Sequence, residues 1–473
     1  MLLRYCGRQL ARSKSHASRL YSTCIVEELN SRGFIAQLTS QGLSNAAKMP
    51  LTVYLGADPS ARSLHVGNLL ALVGLLHFQM RGHQVISLVG GATGAVGDPG
   101  GRTTERKLLT QEELTENTAS ITRQVHAIFE HGERYARKRQ SLSDFPATRP
   151  PKVLNNLEWL GGMGFLEFLR TVGKHAKVNV MLTRDSVKSR LASDQGISFT
   201  EFSYQLLQAH DFYTLHHKYG CRLQIGGSDQ WGNIVAGIDM IKRRKGDEYP
   251  STPTLPLDED TEPAFGLTIP LLTTASGEKF GKSAGNAVWL DSSLTSVFDF
   301  YQFFLRVADA DVSKYLKLLT FRSVDEIDTL MAEHERHPER RAAQRMLASE
   351  VTELVHGEEG VKQAEATTRA LFDTDPSNVR ASDVIKALQN DPRLVLVPAA
   401  EVLDEPLTKL SSNFKQTRSR SEARKLLLAG GLYLNNSRIQ DVNKVLQQSD
   451  LIDGRLAILR AGKDNHLIIA LEQ

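Results

Sequence analysis

Two short segments carry residue types suited to a polyphosphate anion. In Ser63-Leu64-His65-Val66-Gly67-Asn68, an imidazole and an amide flank a glycine at the start of an apolar run. A helix N-terminus presents unpaired N–H groups and a partial positive charge, which suits a phosphate. His65 can donate to a phosphate oxygen, and Gly67 leaves room for a flat base or a ribose against the first turn. In Lys279-Phe280-Gly281-Lys282-Ser283, two lysines three apart can close over leaving phosphates. Neither segment is specific alone, because His65 could serve only as a cap and surface loops are often lysine-rich. A third segment, 90–106 (GGATGAVGDPGGRTTER), gathers glycines with Asp98, Arg102 and Arg106. Its glycines permit close backbone approach, Asp98 suits a cation, and the arginines suit phosphates. It fits neither GxGxxG nor GxxxxGK[ST], which argues against a dinucleotide enzyme and a P-loop NTPase.

A second group of residues suits a small polar ligand. Tyr204, Gln208 and Asp211 stand at i, i+4 and i+7. On a helix they cover an arc of roughly 60°. An exposed polar face would show the same spacing. The apolar neighbours Phe199, Phe202, Leu206, Leu207 and Phe212 make this helix largely buried, however, and buried polar groups need partners.

The elements that must position these residues can be read from patterning. Residues 51–57 (LTVYLGA) read as a buried strand, Val66–Met80 as a helix, and 84–89 (QVISLV) as a second strand. Strand, helix and strand at this spacing predict a parallel sheet, with ligands beyond the carboxyl ends of its strands. A helix over about 199–218, a strand over 221–226 (CRLQIG), a helix over about 230–245 and a strand over 267–272 (LTIPLL) extend the pattern. Residues 110–140 are polar and helical, and the basic loop 133–152 ends in Pro150-Pro151. This region reads as part of an insertion of about 110–195 between two halves of an α/β domain spanning 23–290. Residues 291–395 read as a separate α-helical domain, 396–411 as a linker, and 412–473 as a small α+β domain.

The bulk numbers bound the class. The chain has 473 residues, 41% hydrophobic and 23% charged, with a formal net charge of +3. No apolar run reaches the roughly 20 residues that a membrane helix needs. The three cysteines, Cys6, Cys24 and Cys221, form no CxxC pair. A disulfide framework and a protein-bound metal are therefore not expected, and a reducing compartment fits. Residues 1–22 are Arg- and Ser-rich and lack acids, as in a mitochondrial transit peptide. A disordered basic tail and a plastid address are the alternatives. The window 413–425 holds five basic residues, Lys415, Arg418, Arg420, Arg424 and Lys425, against one acidic residue. Such a cluster attracts a phosphate backbone.

Taken together and in this order, the His65–Asn68 and Lys279–Ser283 segments resemble the two signatures of class I aminoacyl-tRNA synthetases. The runs FTEFSYQLLQAHD (199–211) and CRLQIGGSDQWGN (221–233), with Tyr54-Leu55-Gly56-Ala57-Asp58-Pro59, resemble the tyrosyl-tRNA synthetase family, from about Val26 to Leu471. The resemblance implies a Rossmann-like catalytic domain and an S4-like RNA-binding domain. It implies ATP with Mg2+ as a substrate complex, L-tyrosine and tRNA(Tyr) as partners, a homodimer formed through the insertion, and work in the mitochondrial matrix.

It also implies roles for individual residues. Tyr54 and Asp211 hold the substrate phenol, while Asp98, Tyr204 and Gln208 hold its ammonium. Gln224 and Gln230 line the pocket, and Gly227 and Asp229 meet the adenylate ribose. Asp58, Ser60, His65, Gly67, Asn68, Arg102, Arg106, Lys279, Lys282 and Ser283 surround ATP. Asn68 stands where the signature more often has a second His, Ser60 replaces the commoner Thr, and Arg102 the commoner Lys. Leu55 occupies a position that is a ribose-contacting Cys in some bacterial members. The sister tryptophanyl enzyme should lack the pair Tyr54 and Asp211. Fungal mitochondrial relatives that also aid intron splicing define a further alternative, but this chain has no obvious long insertion.

Overall fold

The computed structural model describes residues 24–100, 104, 108–139, 148–244, 262–283, 286–373 and 378–472. The leader 1–22, Arg102 and Arg106 lie outside the described residues, as do the side chains of Lys282 and Ser283. The chain divides into two compact units. One holds the chain up to Ala287 together with Ala308–Ala343, and the other holds Val288–Val307 with Gln344–Gln473.

The first unit is built on a six-stranded sheet. Its strands are β1 (Gln37–Leu38), β2 (Thr52–Ala57), β3 (Gln84–Val89), β4 (Lys152–Asn155), β5 (Cys221–Gly227) and β6 (Phe265–Ile269), in the order β1-β6-β5-β2-β3-β4. All neighbours run parallel except β1, which pairs antiparallel with β6. The chain therefore builds outward from β2 through β3 to β4, then crosses to the other side of β2 and builds through β5 to β6. The strand order reverses between β2 and β5, the place where a crevice opens beyond the carboxyl ends in such sheets.

The helix Val66–Met80 joins β2 to β3. Thirteen of its fifteen residues are buried, as expected of a helix that is apolar all round. It packs on the sheet and beneath the helices Gln111–Arg139 and Asp309–Leu319.

Several boundaries differ from expectation. β4 is a core-sheet strand within the segment read as an insertion, and Gln111–Arg139 is the crossover helix leading to it. The insertion thus begins only after Asn155. β4 is an edge strand of four residues and is only partly buried, so no apolar run marks it in the sequence. The last strand sits at 265–269 rather than 267–272, and Pro270 follows it. The two-residue β1 has no readable pattern, and β7 (Lys282–Ser283) and β8 (Asn286–Ala287) form a separate antiparallel pair.

The expected helical domain 291–395 does not stand apart. Asp309–Leu319 and Val324–Arg336 belong to the first unit. Elsewhere in that range, Phe298, Ala366, Leu371 and Val384 share a core with Ile458 and Ile468 of the C-terminal sheet. That sheet comprises β9 (Leu394–Val397), β10 (Leu432–Leu434), β11 (Ser437–Arg438), β12 (Leu456–Ala461) and β13 (Asn465–Leu471), in the order β11-β10-β12-β13-β9. β9 lies parallel to β13. The expected linker 396–411 therefore supplies the last two residues of an edge strand and, through Val402, Leu407 and Leu410, part of the core on the other face.

Candidate active site

β2 and β5 lie in register, so Tyr54 pairs with Gln224 and their side chains share one face of the sheet. Tyr54 packs its ring 5.2 Å from Phe212 of the helix Phe199–Tyr219. Both residues are buried, yet the Tyr54 hydroxyl and Gln224 Oε1 have no hydrogen-bond partner among the described residues. An orphaned buried polar atom costs about 1–3 kcal/mol, so two of them side by side mark a place built for a polar ligand. Burial and the nearby Asp211 carboxyl push the Tyr54 phenol well above its ordinary range.

Asp211 is 2% exposed. Its Oδ1 accepts from Trp159 Nε1 at 2.7 Å, and its Oδ2 accepts from Asn156 Nδ2 at 3.0 Å. Burial raises its pKa to about 7, against the lowering effect of these two donors. Asn156 also donates to Thr93 Oγ1 at 2.9 Å and accepts from the Ala92 N–H at 2.8 Å. Asn156 and Trp159 were missed in the sequence because they follow the unrecognised β4. The Pro150-Pro151 pair just ahead of β4 is the signal the sequence offers.

Tyr204 joins this helix to the end of β2, donating to Asp58 Oδ2 at 2.7 Å. Asp58 Oδ1 accepts from Thr93 Oγ1 at 2.7 Å. A Cβ on Gly90 would lie 2.0 Å from that same Oδ1 and 2.4 Å from Thr93 Oγ1, so any side chain there would push this bonded pair out of place. Burial, then Asp58 and Asp98, hold the Tyr204 phenol far above its ordinary range. Three carboxyls, Asp58, Asp98 and Asp211, thus bear on one hydroxyl, an environment that suits an ammonium. Asp58 was expected beside ATP. The structure places it with Tyr204 and Thr93.

A second network lines the β5 side. Asp98 accepts from Gln230 Nε2 at 2.6 Å and from the Gly100 N–H at 2.8 Å. Gln230 Nε2 also lies 3.2 Å from Asp229 Oδ2. Asn233 donates to Gln208 Oε1 at 3.0 Å and to Gln230 Oε1 at 3.3 Å. Asn233 and Thr93 lie inside motifs that the sequence singled out, but no role was assigned to them. Gly227 ends β5 next to this network. A cleft of about 510 Å³ adjoins it, lined by Pro99, Arg184, Ser228, Asp229 and Trp231 among others.

The two anion-suited segments meet. His65 caps the helix Val66–Met80 in an extended conformation, and Asn68 Oδ1 accepts the His65 N–H at 3.1 Å. Asn68 is thereby a reciprocal cap. Gly67 lies in the first turn, and Ser60 is exposed just beyond Asp58. Gly281 adopts φ +96°, and the position of a Cβ there is 3.4 Å from the Gly67 nitrogen. The Lys279 loop therefore lies against the helix start, with Lys279 itself exposed. Among the described residues no group of three or more His, Cys, Asp or Glu could hold a metal ion, and no helix is long and apolar enough to cross a membrane.

In the second unit, Lys415, Arg418, Arg420, Arg424 and Lys425 are all exposed. Arg420, Arg424 and Lys425 lie on the helix Arg420–Leu428, which Ser419 caps by accepting from the Glu422 N–H.

Residues 46–373 match the family model described as tRNA synthetases class I (W and Y), and residues 395–469 match that of the tyrosine–tRNA ligase C-terminal domain. A tyrosine–tRNA ligase of Roseiflexus castenholzii is 43% identical, over 95% of this chain and 100% of its own length. That of Geobacillus kaustophilus is 42% identical, over 94% and 99%. Among solved structures, a C-terminally truncated mitochondrial tyrosyl-tRNA synthetase of Aspergillus nidulans is 36% identical with a TM-score of 0.68, covering 76% of this chain and 99% of its own.

Proposed function

The chain belongs to the tyrosine–tRNA ligases among the class I tRNA synthetases, and from that premise we propose how its residues share the work. The enzyme activates L-tyrosine with ATP and then charges tRNA(Tyr). In the first step a carboxylate oxygen of tyrosine attacks the α-phosphorus, and the bond to pyrophosphate breaks. In the second, a ribose hydroxyl at the tRNA 3′ end attacks the carbonyl carbon, and AMP leaves. Neither step needs a protein nucleophile. Both need in-line positioning and charge stabilisation.

The observation that carries the reading is the orphaned pair Tyr54 and Gln224 beside Asp211. In this assignment, Asp211 accepts the substrate phenol O–H and Tyr54 donates to its oxygen. Tyr204, Asp98 and Gln208 surround the ammonium, joined by Asp58, which shares the Tyr204 hydroxyl. Gln224 and Gln230 line the pocket, and Gly227 with Asp229 takes the ribose. His65, Gly67 and Asn68 form the floor of the ATP site. Ser60, Arg102, Arg106, Lys279, Lys282 and Ser283 surround the phosphates, and Mg2+ arrives as part of the ATP complex.

We assign the five exposed basic residues from Lys415 to Lys425 to the tRNA backbone. We also place the enzyme in the mitochondrial matrix, with residues 1–22 as its leader. Leader composition and the 36% identity to a fungal mitochondrial enzyme support this. A homodimer is supported by the exposed apolar side chains Phe165, Leu166, Val178 and Phe199, each more than half exposed within one short stretch of chain.

The test is ATP–pyrophosphate exchange against every standard amino acid. Exchange is expected with tyrosine alone. Equal exchange with tryptophan would overturn the pocket assignment.

A further inference from the structure

The loop that carries Lys279 is held by a helix outside the nucleotide fold. Thr273 pairs with Lys279 across the base of a short hairpin, and the Thr274 N–H donates to Glu278 O at 2.9 Å. On the incoming strand, Thr273 O accepts from Tyr315 Oη at 3.0 Å and from Lys314 Nζ at 2.9 Å. On the outgoing strand, the Phe280 ring lies over the Tyr315 ring, with centroids 4.0 Å apart and planes 30° apart. One buried side chain, Tyr315, thus grips both strands where the hairpin begins.

Tyr315 sits on the helix Asp309–Leu319, whose Val312, Tyr315, Leu316 and Leu319 make the buried stripe. The carboxyl end of that helix is fixed in turn. Arg32 donates to Lys317 O, Thr320 O and Arg322 O at 3.3, 3.3 and 2.8 Å. Beyond the hairpin, Gly281 lies against the first turn of the helix Val66–Met80. Lys279 is therefore suspended between a clamp on one side and the anion-suited helix terminus on the other.

We propose that Tyr315 is a positioning residue for adenylate formation: it holds the Lys279 loop at the height from which the lysine meets the departing pyrophosphate. The proposal rests on the assignment of Lys279 to the phosphates. A lysine on an untethered hairpin must be ordered in every turnover, and that cost falls on the step in which charge moves onto the leaving group. Tyrosine binding and transfer to tRNA involve no pyrophosphate, so the clamp acts on neither.

The experiment uses the full chain and Tyr315→Phe, which keeps the ring stack and removes the hydroxyl. The lost hydrogen bond is worth about tenfold in rate. Single-turnover adenylate formation should fall by about that factor. Tyrosine affinity and the rate of transfer from preformed tyrosyl-adenylate should stay at the wild-type level. Tyr315→Leu, which also removes the stack, should deepen the loss in the same step only. In a Lys279→Ala background, Tyr315→Phe should cause no further loss. An unchanged rate of adenylate formation, an equal fall in the transfer step, or additive losses with Lys279→Ala would each overturn the proposal. If Lys279→Ala itself leaves adenylate formation intact, the phosphate assignment fails and the clamp fails with it. A crippled Lys279→Ala enzyme beside a fully active Tyr315→Phe enzyme sinks the clamp alone.

Discussion

Asp211 is asked to be two things. It is buried deeply enough that its pKa rises to about 7, yet in the proposed pocket it is to accept a hydrogen bond from the phenol of tyrosine as a carboxylate. Its folded-state pKa lies above its unfolded value, so between about pH 4 and 7 the native chain holds a proton that the unfolded chain has released. The resulting stability is full below about pH 4 and lost as pH rises through about 7. Tyrosine affinity runs the other way and should tighten as pH rises through the same range. Asp211→Asn should remove both trends. Thermal melts from pH 5 to 8 should show the variant gaining on the wild type, and its tyrosine affinity should be pH-independent and weaker by about tenfold or more. Its preference for tyrosine over phenylalanine should shrink as well. An unchanged preference in competitive exchange assays would refute the pairing of Asp211 with the phenol. Asp211 was readable from its spacing with Tyr204 and Gln208. Its donors Asn156 and Trp159 were not, because hydrogen-bond partners brought in from a distant edge strand leave no periodic trace.

At the scale of elements, legibility followed burial. β3 and the helix Val66–Met80 were bounded correctly from the sequence because each is buried nearly throughout. β1 and β4 escape the pattern because edge strands are short and half-wet, whereas the apolar run of β9, Leu394–Val397, is plain in the sequence but lies across the boundary drawn between a helical domain and a linker. The helix start at His65 is legible in the sequence, but the part played by Asn68 in its cap is not. Its amide accepts the His65 N–H and so ties the capping residue in place. Asn68→Ala should cost about 1 kcal/mol of stability, seen as a lower melting temperature, and should weaken ATP use more than tyrosine binding. Equal losses for both substrates would mean that the cap serves the fold alone.

At the scale of the whole molecule, the division of labour expected between three domains becomes one between two units. The strand β9 and the shared core of Phe298, Leu371 and Ile458 mean that a cut near residue 406 would strip the C-terminal sheet of its partners. Charge removal is the cleaner test of RNA binding. Changing Lys415, Arg418 and Arg424 together to Ala should leave adenylate formation unchanged. It should weaken tRNA charging and flatten its salt dependence by about three phosphate contacts, as measured by aminoacylation across a salt series. For assembly, Phe165→Asp with Phe199→Asp should give a monomer in sedimentation, and a persistent dimer would place the interface elsewhere.

The Arg32 cap carries a consequence for the amino-terminal segment. Ile25, Val26 and Leu29 are buried, and Arg32 completes the carboxyl end of the helix that bears Tyr315. Trimming from the amino end therefore meets a limit at this segment. Removing Cys24, Ile25, Val26 or Leu29 takes a side chain from the interior, and a cut that takes Arg32 leaves three backbone carbonyls without their donor.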